Sequence, residues 1–110
     1  MMIPNADEAV IAKDKLCDYL LNPVHRRGGS KAKLLLSMGY SGDEWQRLET
    51  DLRVYHLAAE VDCETDSDYG QRHEIVAPLP DSAGGRVQFR SIWQIDIGTD
   101  FPRLITLYPE

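Results

Sequence analysis

Residues 25–33 read HRRGGSKAK, which puts one imidazole, four cations and a glycine pair within a single short run. His25 is the kind of side chain that exchanges a proton near neutral pH. Arg26, Arg27, Lys31 and Lys33 add positive charge with no acid among them. Glycines let a ligand approach the backbone closely, and the free amides of a helix's first turn face outward. With flanking cations that make charge-assisted hydrogen bonds, the run has the makings of a phosphate site. Lysines at a helix N-terminus oppose the macrodipole, so Lys31 and Lys33 are mildly misplaced unless an anion is held there. A solvated basic surface that balances Asp14 and Asp18 is an equally ordinary origin for such a run. The order Gly-Gly-Ser-Lys lacks the spacing of a Walker loop, so nucleotide hydrolysis by that route is not indicated.

A second group lies in the C-terminal half: Arg72, His73, Arg90, Arg103 and Thr106. Cleavage of RNA without a metal needs a base for the 2′-hydroxyl proton, an acid for the leaving oxygen and cations on the phosphorane. His25 or His73 with Arg90 would supply the proton transfer and the transition-state charge. Arg26, Arg27, Lys31, Lys33, Arg72 and Thr106 would bind the substrate. His73 shares the parity of Ile75 and equally suits a histidine at the core edge. His56, late on a helix, reads as structural, and Trp93 reads as core rather than as a base-stacking platform. Cys17 and Cys63 lie far apart with no CxxC or Cys/His spacing, so neither a zinc site nor a disulfide framework is indicated, and no cofactor is implied.

These side chains need a scaffold, and the periodicity divides near residue 60 into a helical half and a stranded half. Leu16, Tyr19 and Leu20 fall at helical spacing over Lys13 to Leu21, and Asn22-Pro23 stops the helix. Ser30 suits the cap of a second helix through Leu34, Leu35 and Met38, which Gly39 ends. Ser41 and Glu44 fit a capping box, flanked by Tyr40 and Trp45 as a hydrophobic staple, and Trp45, Leu48, Leu52 and Tyr55 continue one face. The acidic stretch 60–68 reads as a surface loop. Strands are expected over 71–79, 86–95 and 103–108, with a hairpin turn at DSAGG. Val87, Phe89, Trp93 and Ile95 share one face, Arg86, Gln88, Arg90 and Gln94 the other, and Ser91 and Ile92 interrupt the pattern. The expected fold is α+β: two or three N-terminal helices packed on an antiparallel meander of three to four strands, the fourth a short N-terminal strand.

Length and composition agree with a single domain over residues 1–110. Hydrophobic residues make up 43% and charged residues 27%, as in folded soluble proteins. No apolar run approaches the roughly 18 to 20 residues of a bilayer span, and the N-terminus lacks the basic and apolar regions of a signal peptide, so a cytoplasmic protein without a membrane partner is expected. Against a formal net charge of −6, the run at 25–33 is a local reversal of sign.

The segments IPNADEAVI, KLCDYLLNP, GGSKAKLLLSMGY, YGQRHEI and DFPRLITLYP resemble an uncharacterised family of small bacterial proteins associated with toxin-antitoxin loci, over nearly the whole chain. The helices-then-meander order is similar to the fold of barnase and RelE-like ribonuclease toxins, whose concave sheet face carries the active site. The resemblance implies a toxin with ribonuclease-type activity, with RNA or another phosphate-bearing ligand and a cognate antitoxin as partners. It assigns no catalytic residue, because those nucleases use different ones. The usual basic character of RelE-like toxins is absent here. The acidic balance favours a second possibility, a non-catalytic interaction module of the immunity or antitoxin kind, whose surface would match a basic partner.

Overall fold

The structure, a computed structural model, describes residues 1–26 and 29–110. It is an α+β domain in which helical segments between residues 15 and 56 precede a four-stranded antiparallel sheet. The helical part comprises a π-helix, Lys15–Leu20, then α1, Gly29–Ser37, then α2, Trp45–Asp51, which runs on as a π-helical turn, Leu52–His56. The strands are β1 (Cys63–Ser67), β2 (Gly70–Pro80), β3 (Arg86–Asp96) and β4 (Arg103–Pro109), hydrogen-bonded in chain order.

Local chemistry accounts for most of the element ends. Asp14 caps the π-helix by accepting from the Lys15 amide. Ser30 is the second residue of α1 and not its cap. At the other end Gly39 adopts φ +103°, with its amide bonded to the Leu36 carbonyl and the Tyr40 amide to that of Leu35. Those two bonds are a Schellman closure, which requires the left-handed residue that only glycine adopts cheaply. Ser41 accepts from the Glu44 amide, giving half of the capping box, and α2 begins after it at Trp45.

The acidic stretch is a strand, which corrects its reading as a loop. Residues Cys63–Ser67 pair with β2 from Cys63↔Glu74 to Ser67↔Gly70, and all five are exposed. Period-two alternation arises only where one face is buried. With neither face of β1 covered, the pairing rests on backbone bonds that leave no trace in side-chain hydropathy. The N-terminal segment contributes isolated bridges instead of a strand, Met2↔Glu60 and Val10↔Arg103.

The core lies between the helices and one face of the sheet. Leu16, Leu20, Leu35, Met38, Tyr40, Leu48 and Leu52 pack against Ile75, Leu79, Phe89, Trp93, Leu104 and Leu107. Ser91 belongs to this buried face by parity, as a polar residue held by partners: its hydroxyl meets His56 Nδ1 at 2.7 Å and accepts from Trp93 Nε1 at 2.8 Å. A register shift between β3 and β4 at Ile92/Trp93 leaves Ile105 as the extra residue, so Thr106 faces Ile92 while Leu104 faces Trp93. Val10 bonds to Pro102 and Leu104 along the outer side of β4. Beyond that point the β4 edge meets the π-helix, which also packs against α1 and α2.

Candidate functional site

The bulged stretch of β4 forms one wall of an open cleft of about 510 Å³, lined by Lys15, Tyr19, His25, Lys31, Ile105, Thr106 and Tyr108. All seven are half-buried. The π-helix delivers Lys15 and Tyr19, the loop after it His25, the first turn of α1 Lys31, and β4 the rest. Single π-turns recur at functional sites because they displace side chains from regular helical positions.

Lys31 Nζ is the hub. It donates to the Tyr19 phenolic oxygen at 2.8 Å and reaches Thr106 Oγ1 at 3.3 Å, while the Tyr19 and Thr106 hydroxyls lie 2.9 Å apart. The ammonium also sits 5.3 Å from the Tyr19 ring centroid and 5.8 Å from that of Tyr108. Lys15 Nζ approaches the Tyr19 ring at 5.5 Å, and the His25 ring meets it edge-on at 4.9 Å between centroids. Burial alone raises the Tyr19 phenol, but the hydrogen bonds from Lys31 and Thr106 and the charges of Lys31 and Lys15 outweigh it. The net result is a phenol more acidic than usual.

Three residues proposed from the sequence therefore meet here, His25, Lys31 and Thr106. Arg26 and Lys33 are exposed outside the cleft lining, and Arg27 lies outside the described residues. Arg72 and Arg90 are on neighbouring strands without converging, since Arg72 faces Gln94 while Arg90 faces Val76. Arg72 donates to Gln94 at 3.2 Å, and Gln94 in turn donates to Asp96, which Arg103 also holds. Arg90 is clasped by Glu74 and Glu110.

His73 takes the core-edge alternative: it is fully buried, faces Trp93 across the strands, and has Glu64 Oε1 at 3.9 Å from its Nε2. A substrate cannot touch it in this conformation. His56 is buried too, and burial pushes its pKa down to about 4, against a hydrogen bond to the Ala77 backbone that raises it. Among the described residues no cluster of histidine, cysteine or carboxylate side chains forms a metal site.

Lys15, Tyr19 and Tyr108 were not nominated from the sequence. Tyr19 sits at the helical spacing of Leu16 and Leu20 and passes for a core residue, and Tyr108 closes an ordinary strand pattern. The available signal was that a tyrosine places an apolar ring and a polar tip in different surroundings.

An α+β fold with a cationic, tyrosine-lined cleft at its sheet edge is thus what the sequence encodes. The chain belongs to the DUF6883 family, a domain of unknown function, which matches residues 2–110. None of the curated proteins or solved structures matches it. Among the described residues no helix is long and apolar enough to cross a membrane.

Proposed function

We propose that the β4-edge cleft binds a phosphodiester and that the protein is a metal-independent endoribonuclease of the bacterial toxin type. The observation that carries this reading is the contact of Lys31 with both Tyr19 and Thr106 in a cleft that also holds His25. A lysine ammonium and an acidified phenol side by side suit a reaction that moves one proton and spreads negative charge over a phosphorane.

In this scheme the 2′-oxygen attacks phosphorus and the bond to the 5′-oxygen breaks, leaving a 2′,3′-cyclic phosphate. His25 takes the 2′-hydroxyl proton, and Tyr19 gives its own proton to the departing 5′-oxygen. Lys31 and Lys15 compensate the charge on the non-bridging oxygens, and Thr106 holds the Tyr19 hydroxyl in place. A water molecule opening the cyclic product would reverse the two proton roles and restore both side chains.

Induced expression in a bacterial host tests this directly. Growth arrest with cleaved RNA is expected for the native chain, lost in His25→Ala and Lys31→Ala and retained in Lys33→Ala. Normal growth with intact RNA would overturn it. A second reading, the non-catalytic interaction module, draws on the fully exposed acidic strand β1 and the net charge of −6. It expects no RNA cleavage and stable binding of a basic protein partner.

A further inference from the structure

Arg90 lies next to the cleft and has an unusual occupant. It is the cross-strand partner of Tyr108, whose ring borders Lys31. The Nε and Nη2 edge of its guanidinium grips Glu110 at two points, Nε to Oε2 at 3.0 Å and Nη2 to Oε1 at 2.8 Å. Its remaining nitrogen, Nη1, separately holds Glu74 at 2.9 Å. That two-point edge is the one with which arginine takes a carboxylate or a phosphate interchangeably.

The two carboxylates differ in how firmly they are placed. Glu74 is in β2, paired to Cys63 on one side and Ile92 on the other. Glu110 follows the last residue of β4, is fixed by one backbone bond to Gln88, and has a side chain 39% exposed. The half-exposed Glu110 side is open to solvent and to exchange, but the two-point grip means that only a ligand offering the same two oxygens displaces it. The exchange is also neutral in charge, because a carboxylate and a phosphodiester each carry one negative charge, and Glu74 stays on Nη1 in either state.

We infer that Arg90 is a second phosphodiester subsite masked by Glu110, opened when a single strand seated at Lys31 brings its neighbouring phosphate to the Arg90 fork. The inference rests on the reading of the cleft as an RNA site, and it adds an internal carboxylate that competes with substrate. The subsite then favours strands of at least two phosphates over a dinucleotide, since only the longer ligand displaces Glu110.

The test follows the Arg90 Nε–H resonance by NMR, first with inorganic phosphate and then with a short oligoribonucleotide made uncleavable by 2′-O-methylation. In Glu110→Gln, phosphate is expected to shift this resonance at concentrations at least tenfold lower than in the native protein. Adding Arg90→Gln, with phosphate binding read by titration calorimetry because the reporting resonance is then gone, should abolish any gain in affinity, while Glu74→Gln should give a smaller one. The oligonucleotide is expected to bind Glu110→Gln several-fold more tightly than the native chain, with no gain for a dinucleotide of one phosphodiester. Equal responses to phosphate in the native and Glu110→Gln proteins would overturn the masked site. If phosphate reaches Arg90 in Glu110→Gln but no RNA binds either protein, the masked anion site is upheld and the reading of the cleft is what fails. Thermal unfolding of each variant checks that it is folded.

Discussion

Tyr19 illustrates how one side chain can serve the interior and the surface at once. Its helix carries Leu16 and Leu20 into the core, while its hydroxyl ends on Lys31 and Thr106. If that hydroxyl donates the proton to the leaving group, Tyr19→Phe removes an acid without altering the cleft's shape. Loss of about 10²- to 10⁴-fold in cleavage rate is expected with RNA affinity little changed, measured by single-turnover kinetics against equilibrium binding. Lys31→Arg should not restore activity lost in Lys31→Ala, because a planar fork does not reproduce one ammonium shared between two hydroxyls.

His56 carries a separate expectation, for stability. Its pKa falls from an unfolded value near 6.5 to about 4 in the fold, so between those limits the unfolded chain binds more protons. Its contribution is complete above pH 6.5 and is lost progressively as pH falls towards 4, by ~3 kcal/mol in all. Urea unfolding across this range should show that slope, and His56→Gln should flatten it. Legibility at this scale was uneven. The parity of His73 already placed it beside Ile75, and its burial follows. The partners of Lys31 were hidden because they come from an early helix and a late strand, and no local spacing records contacts across 75 and 12 positions.

At the level of elements, the segments with a buried face were readable and the rest were not. Gly39, Leu34 to Met38 and the alternation through Phe89 and Trp93 each carry a signal because burial or a left-handed residue imposes it. β1 has no buried face, and the bulge at Ile105 has no hydropathic signature, although it decides that Thr106 looks into the cleft's corner beside Tyr19. The turn between β1 and β2 does contain a strict requirement. Gly70 has φ +138°, and a Cβ there would collide with the Ile95 carbonyl oxygen. Gly70→Ala should therefore cost about 3 kcal/mol, from strain in a region reserved for glycine, seen as a lower midpoint in urea. Gly84 and Gly85 sit in open space at the β2–β3 turn, where added bulk meets nothing within 4 Å.

For the whole molecule the question is how a chain of net charge −6 would hold a polyanion. The answer offered by the fold is segregation. The acids of β1 lie on one edge strand of the sheet and the Lys15–Lys31 cleft on the other, β4, with two strands between them. Few phosphates are then neutralised, so the salt dependence of RNA binding should be shallow, with a log–log slope of about −0.7 per phosphate and about −1.4 for two. A slope several times steeper would mean that a broad basic face, rather than this cleft, holds the strand. Affinity should be modest, and long-range attraction should favour a basic protein at the β1 side.

The decisive measurement is incubation of the purified protein with a single-stranded oligoribonucleotide in excess EDTA, followed by mass analysis of the products. Fragments ending in 2′,3′-cyclic phosphate, absent with Lys31→Ala and with a 2′-O-methylated substrate, are the expected result. An intact oligonucleotide, or cleavage that survives Lys31→Ala unchanged, would contradict the assignment of the β4-edge cleft as the site of RNA cleavage.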